Sequence, residues 1–505
     1  MISMAALLLL AVSCKKDKEQ QIDGSGFDFR ATVECHEGDS KTHLVGMGVA
    51  WDNNDKILVK SNSCAAGKPF TLRETEDDGS AIFHSTENMP DDFLKPNFTA
   101  GYPADDFTFG ESIDGEQINI ELPSTQTYVE NSFGNGANPM IAQSATTVLH
   151  FNNICGLLRL SFTGTTDIVK SIVVLSKNTN DKLCGKGTIT WNEQNLPVLT
   201  MTEGSPKVVL DCGEGVQLSD TPKEFTIVVP AGVFSNGFTV RVINTEGNIC
   251  TLATTQANTI IRNKIIAMPQ QLADVFVAPV GVLSGKFSVA EGRQVRFSSG
   301  NLQATYQGSN KYAWSFAPNQ YTAIGNNPGN NRLGSIQKND VIDLFGWSTS
   351  LTYYGISVSE TPSDYYGEFV DWGKAIDDFD TWRTLTYDEW QYLFGREKHK
   401  FGVTVNGVSN CLVIAPDNFE GTIEQSYSNT QWTNAQNDNG LVCLPITERR
   451  EGSGWVGGGW GYYWSSTPEG NSAYRIYFDN NGFGTTTPAC KRTYGFSVRL
   501  VQDVL

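Results

Sequence analysis

Histidine is scarce in this chain. The five present in 505 residues, His36, His43, His84, His150 and His399, show no H-x-x-x-H spacing, so no zinc-protease helix is written here. No cysteine stands in a C-x-x-C pair, which removes the zinc-ribbon and thioredoxin signatures. No Ser, Cys or Lys nucleophile stands in a recognisable catalytic setting, and the chain is expected not to be an enzyme. Gly452-Ser-Gly454-Trp-Val-Gly457 formally matches G-x-G-x-x-G, but it follows no clear strand, opens no helical pattern and is not followed by Lys-Ser/Thr. Basic charge is short as well. With 37 Lys and Arg against 55 Asp and Glu, the formal charge is −18, which argues against nucleic acid or an anionic membrane face as partner. What remains suits β-rich domains with many turns: 49 glycines, 11% aromatic and only 18% charged residues. The length allows three domains, each with its own core.

The start of the chain points to export. Met1–Val12 is apolar but shorter than the roughly 20 residues that span a bilayer. It ends in Leu10-Ala-Val-Ser-Cys14, the pattern of a bacterial lipobox, although the usual positive residues are missing before Ile2. Cys14 is then the expected site of lipidation and the mature first residue, carrying an anchor in the outer membrane worth about 0.8 kcal/mol per buried methylene. Residues 1–14 read as the signal peptide and lipobox. Residues 15–26, charged and without apolar period, read as a flexible tether. Nine further cysteines lie beyond it, an odd number that cannot all pair within the chain. Disulfides are permitted outside the cytosol, and buried free thiols fit equally well.

From Phe27 the pattern is of strands. Phe27, Phe29, Ala31 and Val33 alternate with Asp28, Arg30, Thr32 and Glu34, and Met47–Val59 holds a second strand broken by an Asn53-Asn54 turn. Leu158, Leu160 and Phe162 alternate further on, and Val169–Leu175 reads as a strand buried on both faces. No useful helical period intrudes between Val148 and Met268, which argues for a sandwich. The order strand, Lys41-Thr, W-x-x-x-D-K-I, then Phe98-Thr-Ala-Gly-Tyr-Pro103, resembles the fimbrillin family of Bacteroidetes pilins, as does the ending FTIVVPAGVF…GFTVRVINTEG…IIRNKIIAMP. The resemblance covers about Phe27–Pro269. It implies two transthyretin-like β-sandwiches, residues 27–147 and 148–269. It also implies partners that are other fimbrial subunits joined by strand complementation, with backbone hydrogen bonds supplying affinity. In many fimbrillins a protease cuts after a basic residue near the first strand, and Lys41, in a polar loop, is the matching candidate.

Residues 270–284 read as a linker, because in Pro269–Ser284 two prolines and small residues interrupt any ladder. Residues 285–505 open with a strand at Val295 and Phe297 and contain Thr381–Phe394, TWRTLTYDEWQYLF. There Thr386 and Glu389 form a capping box, Leu385 and Trp390 a hydrophobic staple, and Trp390, Leu393 and Phe394 one helix face. That segment resembles the formylglycine-generating group of the C-type-lectin-like fold. The end, Gly461-Tyr-Tyr-Trp-Ser-Ser-Thr467 and Tyr494-Gly-Phe-Ser-Val-Arg-Leu-Val501, resembles the major-paralogous domains of Bacteroidetes surface lipoproteins. The expected fold class is therefore mainly β with an α+β C-terminal domain: two transthyretin-like sandwiches followed by a C-type-lectin-like domain. The formylglycine-generating enzymes use a cysteine pair close in sequence to hold copper. Here the late cysteines Cys443 and Cys490 are far apart, and that chemistry is not expected.

No cofactor is expected, with one weak exception. The acid-rich run Glu360–Asp380 could hold Ca²⁺ through Asp364, Glu368 and Asp371, but the sugar-binding tripeptides of calcium-dependent lectins are missing, and a solvated acidic loop is favoured. Trp455, Trp460 and Tyr462, in a glycine-rich aromatic stretch, are the candidate ligand-binding residues, since exposed rings stack on sugars or anchor proteins. Trp464 is read as core. The function expected is a cell-surface fimbrial adhesin subunit, at or near a pilus tip, whose last domain binds a surface glycan or protein. The alternative is a stand-alone surface glycan-binding lipoprotein outside any filament.

Overall fold

The computed structural model describes residues 27–34 and 51–504, apart from 62–63, 78, 88, 90–92, 94, 111–117, 332–334, 380 and 485–488. Cys14 and Lys41 lie outside the described residues. Strands dominate, and among the described residues no helix is long and apolar enough to cross a membrane.

The first sheet closes on itself. Seven strands run in the order Phe27–Val33, Val148–Asn153, Met140–Ser144, Phe98–Tyr102, Lys56–Ser61, Cys64–Thr75 and Ala81–Ser85. Phe27–Val33 closes the ring, parallel to Val148–Asn153 on one edge and antiparallel to Ala81–Ser85 on the other. This is a barrel where an open sandwich was expected. The reason lies in the aromatic filling: Phe29, Phe70, Phe83, Phe98 and Phe151 all point inward and are buried. Phe29 meets Phe70 edge-on at 4.9 Å and Phe98 at 5.0 Å, the geometry ring quadrupoles favour.

The sheets do not divide at the expected 147/148 junction. Val148–Asn153 belongs to the barrel, while Ile118–Leu122 and Thr125–Thr127 pair forward with Gly185–Trp191 and Lys207–Gln217. Strand partners far apart in sequence leave no local signal, which is why the periodicity missed this exchange. The second body packs the sheet of Lys223–Val229, Gly156–Thr163 and Ile265–Ala267 against the sheet built on Ile168–Ser176. Leu158, Leu160 and Phe162 face Ile172, Val174, Leu210 and Val242 in its core. Gly156–Thr163 is apolar on its other face too, because Leu157 packs with Ile118, Ile141 and Ile189 and so ties barrel to sandwich.

Residues 270–284 do join ladders. Gln271 pairs with Phe162, and Val277 exchanges backbone bonds of 2.8 and 3.1 Å with Ile249. Pro269 precedes the segment and Pro279 falls beyond Val277, so the Ala273 and Val277 N–H groups between them are free to donate.

The last unit holds small sheets around two helices. Helix α1 (Tyr387–Gly395) starts at Thr386, whose Oγ1 accepts from Glu389 N at 3.2 Å while Thr386 N donates to the Glu389 carboxylate at 2.9 Å. Leu385, Trp390 and Leu393 are buried against Phe287, Phe297 and Tyr463. A second helix, α2 (Asn429–Asn439), was not expected. It is polar nearly all round, with only Trp432 and Ala435 buried, so no apolar stripe announces it. The unit rests on the sandwich through Phe379, whose ring lies 3.6 Å from the Arg241 guanidinium and beside Val173, Ile243 and Ile249.

Candidate functional site

The strand pair Gly461–Glu469 and Ser472–Phe478 supplies the foundation of the aromatic cluster. Alternation sends Tyr463, Ile476 and Phe478 toward α1 and sends Tyr462, Trp464, Ala473 and Tyr477 to the opposite core. Arg475 shares the side of Ala473 and Tyr477. Its guanidinium lies 4.6 Å from the Tyr477 ring, 5.8 Å from Tyr462 and 5.6 Å from Phe496.

Tyr462 is buried, 7% exposed, and stacks on Phe496 at 5.1 Å. It therefore serves as the floor of the cluster and not as the exposed ligand contact expected of it. Its hydroxyl accepts from Arg449 Nη1 at 3.1 Å, and Arg449 also pairs with Glu451 at 2.7 Å. Trp460 is half-buried and tilted over Tyr477 at 5.4 Å. Tyr494, also half-buried, stands between Arg449 at 5.6 Å and Lys491 at 5.9 Å. Trp460, Arg449, Arg475, Lys491 and Tyr494 thus form one cation-and-ring surface above Tyr462 and Tyr477.

Trp455 stands elsewhere, 39% exposed on the hairpin Arg449–Glu451/Gly454–Val456. The turn of that hairpin packs against the acidic loop: a Cβ built on Gly452 would sit 1.8 Å from Glu360 Oε1. Beside that loop Trp347, Thr349, Ser350, Tyr353, Ser357 and Asp364 line a cavity of about 300 Å³.

The three acids considered for calcium are not brought together. Asp371 N-caps the turn Trp372–Ala375, accepting from Gly373 N at 2.9 Å and from Thr384 N and Oγ1 at 2.9 and 3.0 Å. Burial pushes its carboxyl up, and those hydrogen bonds oppose the shift. Asp364 accepts from Ser359 Oγ at 2.5 Å, and Glu368 is exposed. Among the described residues no group of three or more His, Cys, Asp or Glu is placed to hold a metal ion.

Seven described cysteines are free thiols. Cys443 lies beside Cys411 and not beside Cys490; burial, then the neighbouring thiol, holds Cys443 well above its ordinary value. Burial pushes Cys490 up to about 11, opposed by the Arg475 guanidinium beside it.

Arg449 and Arg475 escaped the sequence reading. A signal existed, since Arg475 sits in the alternation on the side of two core residues, where a charge needs a reason.

Residues 386–501 match the model of a family described as a domain of unknown function, DUF8237. A search of curated proteins by sequence gives no match. Among solved structures, the chain is similar to a proposed cell adhesion protein from Bacteroides uniformis, at 15% identity over 49% of this chain and 94% of that one, with a TM-score of 0.29. A fimbrial protein from Bacteroides ovatus aligns at 12% identity over 95% of this chain and 99% of its own, with a TM-score of 0.24. The tip fimbrial protein Mfa3 from Porphyromonas gingivalis, truncated at its C-terminus, aligns at 8% identity over 45% of this chain and 81% of its own, with a TM-score of 0.17. At these scores the likeness carries no inference about function, which rests on the chain's own residues.

Proposed function

We propose that the chain is a cell-surface fimbrial adhesin subunit, at or near a pilus tip, and that residues 285–505 are a C-type-lectin-like head that binds a surface glycan or protein. The observation that supports this most is the cation-and-ring surface around Trp460. Its ring and cation contacts given above are with residues of the last unit, and Lys491 at its edge is exposed. The fimbrillin-like pattern of Phe27–Pro269 supplies the fimbrial half of the reading. Export as a lipoprotein through Cys14 would place the chain at the outer membrane. The test is fractionation: the subunit is expected in sheared fimbriae, and its absence from them would end the fimbrial reading.

A second reading, a stand-alone glycan-binding lipoprotein, is favoured by the closed barrel. Phe27–Val33 is paired on both edges, and Glu34 just beyond it is clamped by Arg262 through bonds of 2.6 and 3.0 Å. A first strand so seated offers no open groove to a neighbouring subunit. Recovery in the membrane fraction only supports this reading.

A further inference from the structure

We propose that the surface of Trp460, Arg449, Arg475, Lys491 and Tyr494 binds an acidic sugar, one bearing a carboxylate or a sulfate. This rests on the adhesin reading above and narrows its ligand. Charge is the first argument. On a chain of net charge −18, a surface cluster of three cations is unusual, and among the described residues Glu451, on Arg449, is the one carboxylate that pairs with any of them. Arg475 and Lys491 have no carboxylate within ion-pair distance among the described residues. The Arg475 Nε is buried without a hydrogen-bond partner, and its guanidinium is steadied by ring faces and the Cys490 thiol. An anion would meet the terminal guanidinium nitrogens, not the buried Nε, in the paired geometry guanidinium groups favour.

The second argument is shape. Trp460 is half-buried and propped by Tyr477, so its ring is held in place before a ligand arrives and loses little freedom on binding. An indole and a guanidinium that both lie against the Tyr477 ring, at 5.4 and 4.6 Å, suit a pyranose ring that offers C–H groups to the indole and an acid group to the arginine. Trp455 lacks this combination, because its hairpin turn is packed against Glu360, which repels an acid.

The test is calorimetric titration of the purified full-length chain with four probes: an oligogalacturonate, a sulfated heparin-type oligosaccharide, a neutral maltooligosaccharide and hexaglutamate. At least one acidic sugar is expected to bind about tenfold tighter than the neutral one, and less tightly as salt is raised. Which of the two binds tells carboxylate from sulfate. Arg475→Gln and Trp460→Ala are each expected to weaken that binding about tenfold, with near-ultraviolet circular dichroism unchanged. Should Arg475→Gln fail to fold, the exposed Lys491→Gln reports instead, with an expected loss of about threefold. Equal binding of acidic and neutral sugars, or an acidic preference that survives these substitutions, overturns the proposal. So does hexaglutamate binding as tightly as the sugars, which would make the ligand an acidic peptide. If acidic sugars do not bind while the chain still appears in sheared fimbriae, this proposal fails and the fimbrial reading stands.

Discussion

His399 shows how one side chain records its surroundings. Its ring lies 5.1 Å from Phe401, 5.4 Å from Phe483 and 5.9 Å from Phe394, and its Nδ1 is buried without a partner. Burial lowers its pKa from the ordinary 6.5; Glu397 opposes this shift and Arg396 adds to it. A base with a lowered folded-state pKa binds fewer protons folded than unfolded, so stability falls as pH drops through 6.5 toward the folded value. His399→Phe removes that contribution. Relative to the parent, the variant is expected to unfold at higher urea at pH 5 than at pH 8, and an equal difference at both pH values would refute the assignment. Arg499 makes a related point about legibility. Alternation in Tyr494–Val501 marked Phe496, Val498 and Leu500 as core, and all are buried. It placed Arg499 on the other face, yet that side chain is buried as well. It is held by Asn301 Oδ1 at 3.1 Å and Gln320 Oε1 at 2.7 Å, and burial pushes it down to about 10. Those two amides lie 198 and 179 residues away along the chain, beyond anything a local pattern can report.

At the scale of elements, the two helices separate what a sequence can and cannot announce. Helix α1 was legible because its start signals are local: Thr386, Glu389, the Leu385–Trp390 staple and one apolar face lie within a dozen residues. Helix α2 carries the same box at Ser428 and Gln431, with Gly440 closing it at φ 67°. Those signals were present in the sequence, but two buried side chains among polar ones gave no stripe to weigh them against. The closing glycine is doubly required. A Cβ at Gly440 would meet a left-handed backbone conformation and lie 2.6 Å from the Gly285 Cα. Gly440→Ala is therefore expected to cost more than the ~1 kcal/mol of the conformation alone, since the Gly285 backbone must also move. Hydrogen exchange of the α2 amides would show faster opening. Exchange as slow as in the parent would mean that the helix ends some other way.

Across the whole molecule, the question is whether the last unit moves freely or is held. A linker of small residues and prolines reads as a hinge, but this one is paired to Ile249 through Val277, and a patch of mixed polar and apolar contacts fixes the unit beyond it. Arg241 pairs with Asp377 at 3.2 Å under the Phe379 ring, and Lys207 Nζ donates to the Phe379 carbonyl at 3.1 Å. Lys286 and Arg296 reach Glu246 at 3.0 and 3.8 Å. The exposed pairs add little by themselves, so the ring carries the contact: it covers Val173, Ile243 and Ile249, which would otherwise face water. Phe379→Ala is expected to cost about 3 kcal/mol at that junction. That loss should free the unit to swing and expose the linker, where Leu272, Val275 and Val280 already face solvent. Thermolysin should then cut within residues 270–284 faster than in the parent, and the radius of gyration from solution scattering should rise. A recognition surface presented to a fixed partner gains from such a rigid mount, because less orientational freedom is lost on binding. If the variant resists thermolysin as well as the parent and scatters alike, the ring does not hold the unit, and the pairing of Val277 with Ile249 must hold it instead.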